Sequence, residues 1–270
     1  MLQRRFTDTS GRLYFSNRTV ADGEVRRSTP GNLFLEFHLY SLIDEHGQKD
    51  RAVEHWLSAL ETAANPIIEK VIHAARAGKP PGLSARERSI WDFFFYVQWR
   101  RVPDLHKTKP ELRINDAEYR NMLDELRKER PHVGNADWQP FFLPQVRDRI
   151  LRNARVIALT DRGTNVRRAL ASRGLGVVHI EARHKSFIIG SSPVVKLTLP
   201  GRSDIRDPTV EMWLPIASDV MVGLGREAGT ETLASTTDAS QIRHINEAIA
   251  SQSTMIAGAS KALVRSLAKR

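Results

Sequence analysis

The chain contains no cysteine among its 270 residues. That excludes a disulfide framework, a thiolate zinc site and a catalytic thiol. It also lacks any apolar run approaching the roughly 20 residues needed to span a bilayer. The opening Met1-Leu2-Gln3-Arg4-Arg5-Phe6 is basic, but no apolar run follows it, so an export signal is not expected. The histidines fall nowhere at the i, i+4 spacing of a helical metal pair, and no internal repeat or low-complexity tract stands out. A soluble, cytoplasmic protein is expected, with no membrane partner, no cofactor and no metal.

What is present suits a globular protein. Hydrophobic residues make up 41% and charged residues 27% of the chain, which is the composition of a folded rather than a disordered polypeptide. The length suffices to bury a core without staples, and one domain over 1–270 is expected.

The net charge is +10 and the isoelectric point about 10.2. Arginine outnumbers lysine by 31 to 10, a bias that genome composition alone can produce. The charge is nevertheless uneven. Residues 145–185 hold ten basic side chains (Arg147, Arg149, Arg152, Arg155, Arg162, Arg167, Arg168, Arg173, Arg183 and Lys185) against three acidic ones. The first eight of these arginines are the candidate polyanion-binding residues, because guanidinium forks suit phosphate oxygens. The segment contains no Phe, Tyr or Trp, so it offers no platform for base stacking. A solvated helix face is the competing reading.

Hydrophobic periodicity divides the chain. Asp8-Thr9-Ser10-Gly11, between Arg4–Phe6 and Arg12–Ser16, reads as the turn of a small hairpin. From Asp50, Val53, Trp56, Leu57, Leu60 and Ala64 recur at helical spacing, and Pro66 predicts a break or bend. A second helix from Ile67 ends at Gly78. Ser84 and Glu87 have the spacing of a capping box for a third. The body of that helix, Trp91 to Trp99, is apolar on nearly every side and so is expected to be central and buried. Charged helices follow around Glu111–Arg130 and Asp137–Arg152. Beyond these, Val177–Ile180, Phe187–Ile189, Val194–Leu199, Val210–Leu214 and Val220–Gly225 read as short strands. Val156–Leu159 fits a strand or the end of a helix equally well. Ile242, Ile245, Ile249, Ile256 and Leu263 predict one closing helix. The fold class expected is α+β: a helical part over about 30–153, a small mixed or antiparallel sheet over about 154–235, and a C-terminal helix over about 238–268.

The order of these stretches resembles an uncharacterised bacterial family, the domain of unknown function numbered 4238. The resemblance rests on Arg5-Phe6, Gly11-Arg12-Leu13-Tyr14, Glu36, Leu39-Tyr40, Val53-Glu54, Leu60-Glu61, Gln98, Arg101, Pro103, Phe187 to Val194, Leu214-Pro215-Ile216 and Asp219. The family's usual form places an aspartate shortly before the proline of the Phe187–Val194 stretch. This chain has Ser191-Ser192 there, so a role for that carboxylate does not carry over. The resemblance implies architecture and candidate positions, and no mechanism.

The candidate pocket combines Glu36, Glu54, Glu61, Gln98 and Arg101. Glu54 and Glu61 share one side of a helix, about 10.5 Å apart by helix rise, too far to share one ion unaided. Gln98 and Arg101 share a face of the aromatic helix, where polar groups need partners because unpaired burial is costly. A structural helix–helix ion pair and a polar pocket holding a reacting group both fit. Other patterns are weaker. Arg101 to His106 and Arg127 to His132 imitate a nuclease spacing, and Asp161 with Glu181-Ala182-Arg183 imitates a metal-nuclease set. Gly223-Leu224-Gly225 imitates a dinucleotide fingerprint, but a poor helix start follows it. Asp44, Glu45, His46 and Asp50 form an acidic loop that reads as a solvated turn. Two functions follow: a binding or accessory protein that contacts nucleic acid or another polyanion, or a nuclease-like hydrolase using the Glu/Gln/Arg group.

Overall fold

The computed structural model describes residues 2–20, 24–34, 39–101, 114–161, 163–182, 184–199, 201–202 and 204–268. The chain divides into two compact units, the first comprising 1–36, 58–104 and 162–270, the second 37–57 and 105–161. The class is α+β.

Helix α1 (Ala52–Arg76) starts in the second unit and runs on into the first. It passes through Pro66 without ending, so the two helices expected on either side of that proline are one. A proline inside a helix forfeits one backbone hydrogen bond and costs about 3 kcal/mol. Against this, Ala64, Ile67, Ile68, Val71, Ile72 and Ala75 are all buried, and a fully buried aliphatic side chain contributes roughly 1.5–3 kcal/mol. Packing outweighs the local preference.

Helix α2 (Ala85–Arg100) begins with the expected capping box, Ser84 and Glu87 bonding each other's backbone amides. Lys70 of α1 donates to the same Glu87 carboxylate at 2.9 Å. Trp91, Phe94, Phe95, Tyr96 and Val97 are almost completely buried, as the unbroken apolar run of α2 requires.

Two sheets complete the first unit. One has the order β2-β1-β11-β6, formed by β1 (Leu13–Asn17), β2 (Arg26–Ser28), β6 (Ile189–Gly190) and β11 (Met255–Gly258), with every pair antiparallel. The other has the order β10-β5-β9-β8-β7, formed by β5 (Leu175–Ile180), β7 (Val195–Leu197), β8 (Glu211–Pro215), β9 (Val220–Leu224) and β10 (Glu231–Thr236). Here β10 lies parallel to β5 and the remaining pairs are antiparallel. Helix α6 (Thr164–Ala171) packs against α2, and α7 (Ala239–Ser251) and α8 (Lys261–Ala268) pack on the first sheet.

Other elements differ from expectation. The residues before the Asp8–Gly11 turn form a 3-10 turn, Leu2–Phe6, and β1 finds its partners in β2 and β11. The single closing helix is two helices separated by β11, so Ile256 is buried in a strand rather than on a helix face. Strand β10 carries no apolar run, since its partly exposed edge position asks for none. Val156–Leu159 belongs to helix α5 (Pro144–Thr160), and the helical part therefore extends past residue 153.

In the second unit, β3 (Leu42–Ile43) and β4 (Lys49–Asp50) form a hairpin. The Asp44 carboxylate accepts from the amides of His46 and Gln48, so the acidic loop is a self-bonded turn. Helix α3 (Asp116–Glu129) carries an Asn115/Glu118 capping box, and the one-turn α4 (Asn135–Trp138) follows. The core of this unit is Tyr119, Leu123 and Trp138, with Val133, Ile150 and Leu151 against it. From α5, Asn153 bonds both the amide and the carbonyl of Ile43. Among the described residues, no helix is long and apolar enough to cross a membrane.

Candidate functional site

Arg101 caps the C-terminus of α2, its amide donating to Val97 O at 2.7 Å. Its guanidinium meets the Glu61 carboxylate of α1, and the two side chains keep 28% and 29% of their surface exposed. Gln98, one turn earlier, is buried. Glu54 lies in the second unit, where its carboxylate accepts from the Ser41 hydroxyl at 2.9 Å. Glu36 lies outside the described residues. Of the five candidates, therefore, Glu61 and Arg101 are brought into contact. A carboxylate held by a guanidinium serves as a hydrogen-bond acceptor, which suits a packing or ligand-binding role.

The candidate polyanion-binding arginines fall in both units. Arg173 is 3% exposed, and its guanidinium is consumed by the carbonyls of Ile205, Asp207, Val210 and Gly225. Burial pushes its pKa below the usual arginine value. It is a strut inside the first unit and is withdrawn as a phosphate contact. Arg147 is engaged by Asp116 and Asp148. Arg152 donates to Ser41 O at 2.7 Å and Arg149 to Asp44 O at 3.3 Å. Arg155 is exposed, and its Nε donates to Leu151 O of its own helix. Arg167 lies over the Phe93 ring at 4.7 Å and reaches Ser89. Arg168 is exposed, and Arg162 and Arg183 lie outside the described residues.

A group that sequence reasoning missed lies elsewhere in the first unit. Arg76, near the end of α1, grips both oxygens of Asp219 at 2.7 and 2.8 Å. His179 Nε2 of β5 stands 3.8 Å from the same carboxylate. Burial alone would raise the Asp219 pKa, but the Arg76 hydrogen bonds and charge carry it below the usual carboxylate value. Nearby in sequence, Ser218 donates its amide to Arg5 O, and Arg5 in turn bonds Asn65 and Glu69 of α1. The signal was present, because Arg5 and Asp219 both lie in stretches that carry the family resemblance. What could not be seen was the long-range pairing with α1.

The serines of the Phe187–Val194 stretch serve the backbone. Ser191 Oγ accepts from the amides of Thr254 and Met255, and the Ser192 amide donates to Ser253 Oγ. The glycines of the pseudo-fingerprint are packing devices: a Cβ on Gly223 would lie 2.3 Å from the Trp213 ring, and one on Gly225 would lie 2.8 Å from the Gly174 backbone. After them the chain turns into β10, not into a helix. Among the described residues no cluster of three or more His, Asp or Glu could hold a metal ion.

The sequence of this α+β chain matches a family model over nearly its whole length. It belongs to the family described as "protein of unknown function (DUF4238)", which matches residues 1–262. No curated protein and no solved structure matches the chain.

Proposed function

We propose that this protein is a binding or accessory protein for nucleic acid or a related polyanion, with the contact surface on its first unit. The observation that carries the reading is the distribution of charge. The second unit holds as many acidic as basic side chains, so the whole excess of +10 falls on the first. A folded body with that excess attracts polyanions and releases their counterions on contact. Within it, exposed Arg168 and the neighbouring Arg167, held over Phe93, present guanidinium groups from one short helix.

A titration of labelled DNA and RNA oligonucleotides against the protein at increasing salt tests this. Binding at low salt is expected, weakening steeply as salt rises, and replacing both Arg167 and Arg168 by Ala should reduce the slope of log K against log salt by about 1–2. Absence of binding at low salt overturns it. A second reading, a nuclease-like hydrolase built on Glu61, Gln98 and Arg101, is favoured by the partial exposure of the Arg101–Glu61 pair. It requires hydrolysis of an oligonucleotide or phosphodiester probe that Glu61→Gln abolishes while the fold survives.

A further inference from the structure

Strand β10 is the outer strand of the five-stranded sheet. Its register with β5, together with the bonds Leu175 N to Thr230 O and Glu181 N to Thr236 O, fixes which groups face inward. In a parallel pair these alternate. Thr232, Ala234 and Thr236 direct their amides and carbonyls at β5. Glu231, Leu233 and Ser235 direct theirs away from the sheet, where no backbone or side-chain group among the described residues meets them.

Exposed edges are usually blunted by lysine, proline, a bulge or an inward charge. Glu231–Thr236 has none of these, in a chain whose Lys and Arg number 41. Its one charged side chain is turned back on its own unit, since the Glu231 carboxylate accepts from the amides of Gly82 and Leu83 at 2.6 and 2.9 Å. We infer that β10 is a self-association edge, pairing antiparallel with β10 of a second copy so that Leu233 lies on the twofold axis. That register is the one in which outward-facing residues meet each other: Leu233 opposes Leu233, and Glu231 opposes Ser235. Each such pair exchanges both hydrogen bonds. It also keeps the two Glu231 carboxylates from facing one another across the strands, where like charges destabilise. The absence of basic side chains from the strand matters for a cationic body, because a second copy brings the same charge. The result is one sheet continuous through two subunits, and the inference stands independently of the polyanion reading.

Sedimentation velocity of the full chain over a range of concentrations tests it, alongside hydrogen exchange at high and low concentration. A monomer–dimer equilibrium is expected. The amides of Glu231, Leu233 and Ser235 should gain protection as concentration rises, while Thr232 and Ala234 stay protected throughout. Leu233→Pro removes an outward amide that the chain itself does not use, so it should weaken dimerisation at least tenfold with an unchanged circular dichroism spectrum. If that variant fails to fold, the exchange pattern of the unaltered chain decides. A monomer at every concentration overturns the inference. So does a dimer that Leu233→Pro leaves intact, or outward amides protected equally at all dilutions, which would mean that something other than a second copy covers the edge.

Discussion

Asn246, buried on α7, treats Ile188 as a neighbouring strand would: its Oδ1 accepts the Ile188 amide at 3.0 Å, and its Nδ2 donates to Ser186 O at 2.9 Å. Gln252, at the end of the same helix, does likewise with the amide and carbonyl of Lys196. The two carboxamides hold the segment leading into β6 and the middle of β7. Asn246→Leu leaves the buried Ile188 amide and the part-buried Ser186 carbonyl without this partner, so a loss of about 2–3 kcal/mol is expected in urea unfolding, beyond the roughly 1 kcal/mol net worth of one ordinary hydrogen bond.

The Arg76–Asp219 contact should make stability depend on acid. The Asp219 carboxyl is held below its unfolded value of about 3.9. Its contribution is therefore complete above about pH 4 and lost as pH falls through the depressed folded value. Thermal unfolding from neutral pH to about pH 3 should show a smaller decline for Asp219→Asn than for the unaltered protein. The difference should be no more than about 1 kcal/mol, because Arg76 is over half exposed and solvent screens the pair.

For Arg101 and Glu61, a double-mutant cycle separates pairing from packing. Arg101→Gln and Glu61→Gln should each cost about 1 kcal/mol or less, with a coupling energy of about 0.5–1 kcal/mol between them. A coupling of zero would mean that the contact contributes nothing to the joint between α1 and α2.

Gly223→Ala tests whether the glycine serves packing. The added methyl would lie 2.3 Å from the Trp213 ring and 2.4 Å from Met212 O. Overpacking of this kind costs about 1–3 kcal/mol, to be read as a lower denaturant midpoint together with a changed Trp213 fluorescence.

Ser16 offers the opposite case. It is fully buried on β1, and its hydroxyl meets no hydrogen-bond partner among the described residues. Ser16→Ala removes a polar group that gains nothing from burial and should be neutral or stabilising by up to about 1–2 kcal/mol in the same measurement.

Much of this was legible because the local signals were strong. The Ser84/Glu87 spacing specifies a cap whatever surrounds it, and an unbroken run such as Trp91–Val97 has no polar face to expose. The pairing of Glu61 with Arg101 was anticipated because polar groups on so apolar a helix need partners. Pro66 misled because local rules weigh the lost hydrogen bond and not the buried flanks. Ile256 misled because its spacing from Ile249 and Leu263 imitates a helix face, although Ser253 and Thr254 turn the chain between them. Arg173 read as a surface cation because its carbonyl partners come from a loop more than thirty residues away, at 205–210 and 225. Asp219 and Arg76, 143 residues apart, carry no mutual signal at all.

The pairing of β1 with β11 sets an order of events. The earlier strand must wait for one far downstream, since Tyr14 faces Gly258 and Asn17 faces Met255. Before β11 is made, β1 can pair with β2 alone, so Tyr14 and Phe15 lack their second neighbouring strand. Closing so long a loop is slow compared with helix formation. The sheet is therefore completed only once the residues of β11 are available, rather than when any helix forms, and until then the open side of β1 is a natural target for chaperones.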